Sequence, residues 1–239
     1  MLVTTTSDYI PGGPFWARQD IFGSGGAQSI TYDPTNFPAN TRLRWNWPAP
    51  NGRVYSYPGL AWGNQYSGVE VIPGVQLNAF KTLSCKFDYS ISANPAQYDV
   101  LNEMWLYAHP LLHQAPPPSP AQLFEVELLL EPLADGSVPS QNQFYVYSIT
   151  QPFAADVLVN PKANFTPAGT TSQYIPSILI YPKKALIGKV TVDWRALYQQ
   201  LIAKGTLTGN EYAYGFEFGA EVWGGSGSMN IRSWQVDWS

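Results

Sequence analysis

Two segments of this chain carry carboxylates where an extended strand would line them up. In Tyr98-Asp-Val-Leu-Asn-Glu-Met-Trp-Leu-Tyr-Ala108, strand alternation puts Asp99, Leu101, Glu103, Trp105 and Tyr107 on one face. Val100, Asn102, Met104, Leu106 and Ala108 fall on the other, a core stripe. The first face interleaves acids with aromatics, a mixture suited to a cleft wall. In Tyr212–Trp223 the core stripe is Tyr212, Tyr214, Phe216, Phe218, Ala220 and Val222. The opposite face holds Ala213, Gly215, Glu217, Gly219, Glu221 and Trp223, where small residues leave room for something bulky lying on the sheet. A third segment, Leu123–Leu130, alternates Glu125 and Glu127 without aromatics and reads as a solvent-exposed face.

Opposed carboxylates in an aromatic cleft suit the hydrolysis of glycosidic bonds. One acid protonates the departing oxygen, and the other attacks the anomeric carbon or activates water. Aromatic rings pack on the apolar faces of sugars. Neighbouring carboxylates raise one another's proton affinity, which keeps an acid protonated near its working pH.

Composition agrees with such a surface. The 239 residues include 9 Trp, 15 Tyr and 11 Phe, with 20 Gly and 21 Pro to make turns. Charged residues are only 13%, against about 25% in an average soluble domain. With 13 Lys+Arg and 17 Asp+Glu the net charge is -4, which lacks the cationic footprint of a nucleic-acid binder. No apolar run approaches the roughly 18 residues of a spanning helix, so no membrane partner is expected. Met1-Leu-Val-Thr-Thr-Thr lacks the basic and apolar regions of a signal peptide. Cys85, the single cysteine, permits no internal disulfide. His109 and His113 have a spacing that suits a helix face, but Pro110 and the Pro-rich run after them argue against a helix, and no metal site is expected.

The elements that must position these acids are mostly strands. Short β-rich segments recur between turn signals: Arg42–Trp47, Arg53–Tyr57, Thr82–Ser92, Tyr98–Ala108, Leu123–Leu130, Phe144–Thr150, Ser177–Tyr181, Tyr212–Trp223 and Ser228–Trp238. That punctuation predicts an all-β sandwich or jelly roll. One helix is predicted over Asp193–Gly205, opened by an N-cap Asp and closed by Gly. Ala115–Pro120 is a stiff polyproline-like loop. It lies between strands of similar character, so the chain reads as one domain, 1–239. Asn164-Phe-Thr166 fits a glycosylation acceptor.

Taken in order, several segments resemble glycoside hydrolase family 12, the small endo-β-1,4-glucanases and xyloglucanases. Trp45-Asn-Trp47 and Gly52-Arg-Val-Tyr-Ser-Tyr-Pro58 resemble its W-x-W and V-x-S-Y-P elements. Phe87-Asp-Tyr89 resembles the strand bearing a supporting aspartate. Asn102-Glu-Met-Trp-Leu106 resembles the E-x-M-I-W nucleophile strand, and Gly219-Ala-Glu-Val-Trp223 the G-T-E-P-F acid/base strand. The resemblance runs from about Phe15 to Trp238 and implies a concanavalin-like jelly roll of two antiparallel sheets, with a long substrate cleft.

There are departures. The family's nucleophile lies four residues before the Trp, a position held here by Leu101, whereas Glu103 lies two before Trp105. A two-residue contraction keeps strand parity, so Glu103 is preferred, with Asp99 as the alternative. Val222, not Pro, follows Glu221. Phe15-Trp-Ala17 stands where the family has N-N-x-W-G, and the family's frequent N-terminal cysteine pair is missing.

The resemblance implies double displacement. Glu103 would attack, Glu221 would act as acid and then base, and Asp88 would hydrogen-bond Glu103. Trp16, Trp105 and Trp223 would be platforms or cleft walls, and Asp99 would line the same cleft. It implies no metal or organic cofactor, and a secreted monomer acting on a β-glucan such as cellulose, mixed-linkage glucan or xyloglucan. Two other readings compete. A non-catalytic carbohydrate-binding module or lectin predicts an aromatic surface without opposed acids. A polysaccharide lyase needs cations at its cleft, but Arg42 and Arg44 lie on another strand.

Overall fold

The computed structural model describes residues 1–11, 13–63, 72–108, 122–132, 145–160, 164–165, 173–174 and 176–239. His109, His113, the 115–120 loop and Thr166 of the acceptor triplet lie outside the described residues. The strands are β1 (Val3–Thr5), β2 (Phe15–Arg18), β3 (Ala27–Tyr32), β4 (Thr41–Trp47), β5 (Gly59–Gly63), β6 (Val75–Gln76), β7 (Leu83–Tyr107) and β8 (Gln122–Glu131). After them come β9 (Tyr145–Ile149), β10 (Ala155–Asn160), β11 (Asn164–Phe165), β12 (Gln173–Tyr174), β13 (Ser177–Pro182) and β14 (Lys189–Asp193). The helix α1 (Trp194–Ala203), β15 (Tyr212–Ala213) and β16 (Gly215–Trp238) complete the chain.

The frame is the antiparallel ribbon of β7, 25 residues long, and β16, 24 residues long, paired from Glu217↔Glu103 to Trp238↔Leu83. One half of the ribbon continues through β4, β3 and β1 on one side and β14 on the other. The other half continues through β5 and β2 on one side and β8, β13, β10 and β9 on the other. The ribbon folds back on itself. Phe87 and Phe218 belong to opposite halves, yet their ring centroids are 4.4 Å apart, and Phe218 lies 5.6 Å from Trp234. The two layers of the expected jelly roll are therefore halves of one continuous 14-stranded sheet. One pair departs from the antiparallel expectation: β13 lies parallel to β8. Parallel neighbours need a crossover, and the β9–β10 hairpin lies within it.

Folding the ribbon over requires changes of side-chain parity. In β7 the residues of the main core are Leu83, Cys85, Phe87 and Tyr89 in one half, then Val100, Met104 and Leu106 in the other. The switch from odd to even falls where Pro95 is skipped between the Gly225↔Ala96 and Ser226↔Asn94 pairs. In β16, Trp223 and Arg232 are the extra residues, and the buried set changes from Phe218 and Val222 to Met229 and Ile231, then to Trp234. Each bulge adds one residue and turns the following face over. Asn94-Pro95 and Gly224–Gly227 punctuate the sequence like turns but sit within continuous strands.

The helix forms as expected. The Asp193 carboxylate accepts from the Ala196 backbone N–H, and Gly205 closes the end with φ +74°. Trp194, Leu197, Tyr198 and Leu201 are buried against the ribbon. The Trp194 indole N–H donates to Asn102 Oδ1 at 2.6 Å, and the Asn102 amide donates to the Glu217 carbonyl at 2.8 Å. Asn102 thus ties the helix and β16 together behind the acidic face. Asn102→Ala orphans both buried partners, an expected cost of about 1–3 kcal/mol, read as a lower urea midpoint at unchanged slope.

Candidate active site

Sheet register assembles a row across the half of the sheet made by β2, β5, β16, β7, β8 and β13. Trp16 pairs with Ala61, Ala61 with Glu217, Glu217 with Glu103, and Glu103 with Glu127. The next row is Arg18, Gly59, Gly219, Leu101 and Leu129. Beyond it, Glu221 pairs with Asp99. All these side chains point away from the main core, because the intervening residues Ala17, Leu60, Phe218, Ala220, Val100, Asn102 and Leu128 are buried within it.

The floor between the acidic rows is apolar. Tyr57, Leu101 and Leu129 form a separate cluster, with Leu179 and Tyr181 packed on it. The neighbouring positions are bare backbone: a Cβ on Gly219 would lie 2.4 Å from the Pro58 carbonyl oxygen. The pocket over this floor is lined by Arg18, Asp20, Phe22, Tyr57, Leu101, Glu103, Trp105, Glu125, Glu127 and Glu221. A sugar ring resting on Leu101 and Leu129 would have Glu127 on one side and Glu221 on the other.

The carboxylates of this face differ in their surroundings. Glu103 is only 6% exposed, and burial, with Glu217 next to it, pushes its proton affinity well up. Glu221 is half-buried and also pushed well up, by desolvation and then by Asp99, Glu127 and Glu125. Glu127 is half-buried and raised to about 7; burial raises it, while the Ser177 hydroxyl donates to it at 3.1 Å and opposes the rise. Glu217 is also raised to about 7 by burial, against the pull of Arg18, whose Nη1 donates to both carboxylate oxygens at 2.9 and 3.1 Å.

These shifts predict a stability profile. Glu127 and Glu217 titrate near 7 in the native protein, above the ordinary value of 4.5, so between those values the native state holds protons that the unfolded chain has released. Their contribution to stability is full below about 4.5 and lost as pH rises through 7. Melting temperature should fall over that window, and a flat or rising profile would contradict these surroundings.

The structure brings Glu103, Glu221, Trp105 and Asp99 onto one face, and Trp16 onto the outer end of the same row. Trp105 is 2% exposed and Trp16 3%, so both are packed walls rather than open platforms. Trp223 is half-buried, and its indole N–H donates to Asp99 Oδ2 at 3.3 Å. Asp99 is 3% exposed, and its Oδ1 is buried without a partner among the described residues.

Asp88 is not brought to this site. Its neighbours Phe87 and Tyr89 point into the core, so Asp88 points to the outer surface of the other layer. There it pairs in register with Lys189 and Ser233 and accepts from Arg232 Nε at 2.6 Å. It cannot hydrogen-bond Glu103 as expected.

Arg18, Phe22, Tyr57, Glu125 and Glu127 were not expected at the site. The exposed reading of Glu125 and Glu127 is corrected: β8 lies between β7 and β13, and both acids line the pocket. The run Leu128-Leu-Leu130 was the available signal, since apolar residues on both faces mark a strand covered on both sides. Phe22 is 61% exposed and offers the pocket an open ring.

A folded-over jelly-roll sheet with an acid-lined, apolar-floored pocket defines the class, and comparison places it among known folds. No protein-family model matches the chain. The structure matches that of the native family 12 xyloglucanase from Bacillus licheniformis over 100% of both chains, with TM-score 0.75 and 23% identity. It matches the catalytic domain of a Humicola grisea family 12 protein in complex with a soaked thio cellotetraose, covering 100% of this chain and 99% of that one, with TM-score 0.76 and 12% identity. In sequence, the chain is 22% identical over 227 residues to Endoglucanase S of Pectobacterium parmentieri, covering 93% of this chain and 78% of that protein. The chain thus has the fold of the family 12 glycoside hydrolases that its motifs resemble.

Proposed function

We propose that the chain is a secreted, retaining endo-β-1,4-glucanase or xyloglucanase, with Glu127 as nucleophile and Glu221 as acid/base. One observation carries this reading: Glu127 and Glu221 reach the same pocket from β8 and β16, on opposite sides of the Leu101–Leu129 floor. The names of the fold neighbours supply the substrate class.

Glu127 takes the role expected of Glu103 for two reasons. It is the more accessible of the two, and the Ser177 hydroxyl donates to it and stabilises its charge. Glu103 is buried beneath the surface, directly opposite the buried Glu217. The Glu127 carboxylate would attack the anomeric carbon as the glycosidic C–O bond breaks, and the leaving oxygen would take the Glu221 proton. The Glu221 carboxylate would then take a proton from water, whose oxygen attacks the same carbon and releases Glu127. Asp99 supports the acid role of Glu221 by like charge across the β7–β16 pair. No step calls on a metal or organic cofactor. A polymeric substrate favours extracellular action, and we read the protein as a single-domain monomer.

A binding module is less well supported, because the packed Trp16 and Trp105 leave little open aromatic surface. The test is reducing-end release from carboxymethyl cellulose, xyloglucan and mixed-linkage glucan. Release from at least one is expected, with retained anomeric configuration seen by NMR. Binding without release would favour the module.

A further inference from the structure

In the row that carries Glu127, Glu217 is ion-paired with Arg18 from the next row, a pair the mechanism does not use. Arg18 and Glu217 are both sequestered, with side chains 19% and 3% exposed. Arg18 also reaches Asp20, Nη2 to Oδ1 at 3.1 Å. Glu217 lies directly opposite Glu103, and Glu103 lies directly opposite Glu127. Glu103 and Glu217 are therefore side by side on the same face of the sheet, both buried. A protonated carboxyl has one O–H to donate, so a proton given to Glu217 is not given to Glu127.

We propose that Arg18 is a positioning residue: it holds Glu217 as a carboxylate that captures the Glu103 proton, and so leaves Glu127 without that donor. The inference deepens the reading of Glu127 and Glu221 as the reacting pair and rests on it. A carboxylate that accepts a donated proton is a weaker nucleophile, so directing the proton to Glu217 keeps Glu127 reactive. The groups facing this chain are Arg18 and Asp20 from β2 and the residues after it, Tyr57 before β5, Glu221 on β16, Asp99 on β7, Glu125 on β8 and Tyr181 on β13. Among these described groups Arg18 is the cation, so its removal shifts the balance of the whole row.

The test is the pH dependence of kcat/KM on whichever uncharged glucan the wild type hydrolyses, so that the limbs report the protein. Arg18→Met leaves Glu217 without its counter-ion and makes the row more negative. Its acid limb should move up by about one pH unit. Glu217→Gln removes the negative charge and frees the Glu103 proton to reach Glu127. Its acid limb should move down, and kcat should fall at the plateau because Glu127 is then a hydrogen-bonded, weaker nucleophile. The double variant restores the net charge but keeps the freed Glu103 proton, so its limb should lie above that of Glu217→Gln and below that of Arg18→Met. A merely structural ion pair would lower activity without opposite displacements. Unmoved limbs, displacement of both single variants in one direction, or a double variant whose limb does not lie above that of Glu217→Gln would each overturn the proposal. If Arg18→Met does not fold, Glu217→Gln and the double variant still decide it. A wild type that releases no reducing ends overturns the functional reading instead.

Discussion

Replacing Glu127 by Gln should leave a folded protein with reducing-end release lowered on the order of 10⁴-fold or more. The amide keeps the shape and can still bond Ser177, but it cannot attack an anomeric carbon. Glu103→Gln is the informative partner. The amide it introduces can still donate to Glu217, so the loss should be far smaller, about 10–100-fold. If instead Glu103→Gln abolishes turnover and Glu127→Gln does not, the nucleophile returns to β7. The contrast is sharp because the two residues are direct register partners in the same row. Only their accessibility and proton partners distinguish them.

Glu221→Gln should cost about 10²–10⁴-fold on polymeric glucan, where the leaving sugar needs a proton. On an aryl cellobioside whose phenolate leaves unaided, the first step should be nearly spared. Turnover then stalls at the glycosyl-enzyme, because no base activates water. Azide needs no base, and its addition should restore turnover and give a β-glycosyl azide. Equal losses on both substrates, or no response to azide, would count against Glu221 as the acid/base.

Several features of this protein could be read from residue types and spacing. Alternation alone separated the cleft face of β7, with Asp99, Glu103 and Trp105, from its core face, and did the same for Glu217 and Glu221 on β16. Asp193 and Gly205 bounded the helix because capping and helix termination are local. Low charge and abundant aromatics were consistent with an all-β chain bearing a cleft. These are nearest-neighbour properties of the chain.

What lay beyond local reading depends on which strands pair. Asn94-Pro95 and Gly224-Gly225 look like turns, yet each strand continues because the other supplies its hydrogen bonds, and the misfit is taken up as bulges. The bulge in β7 flips parity, so even-numbered Asp88 and odd-numbered Glu103 both point away from the core, and the fold-over of the ribbon sets them on opposite outer surfaces. Glu125 and Glu127 have the pattern of a wet edge. The crossover that returns β13 beside β8 covers that edge and turns the two acids into part of the pocket. Whether a carboxylate is solvated or desolvated is a property of the far side of the sheet, supplied by residues some fifty positions away in the chain, as with Ser177 and Glu127 (|i−j| = 50). The strand faces were legible because alternation is local; the full set of carboxylates lining the pocket was not, because their neighbours are set by long-range pairing.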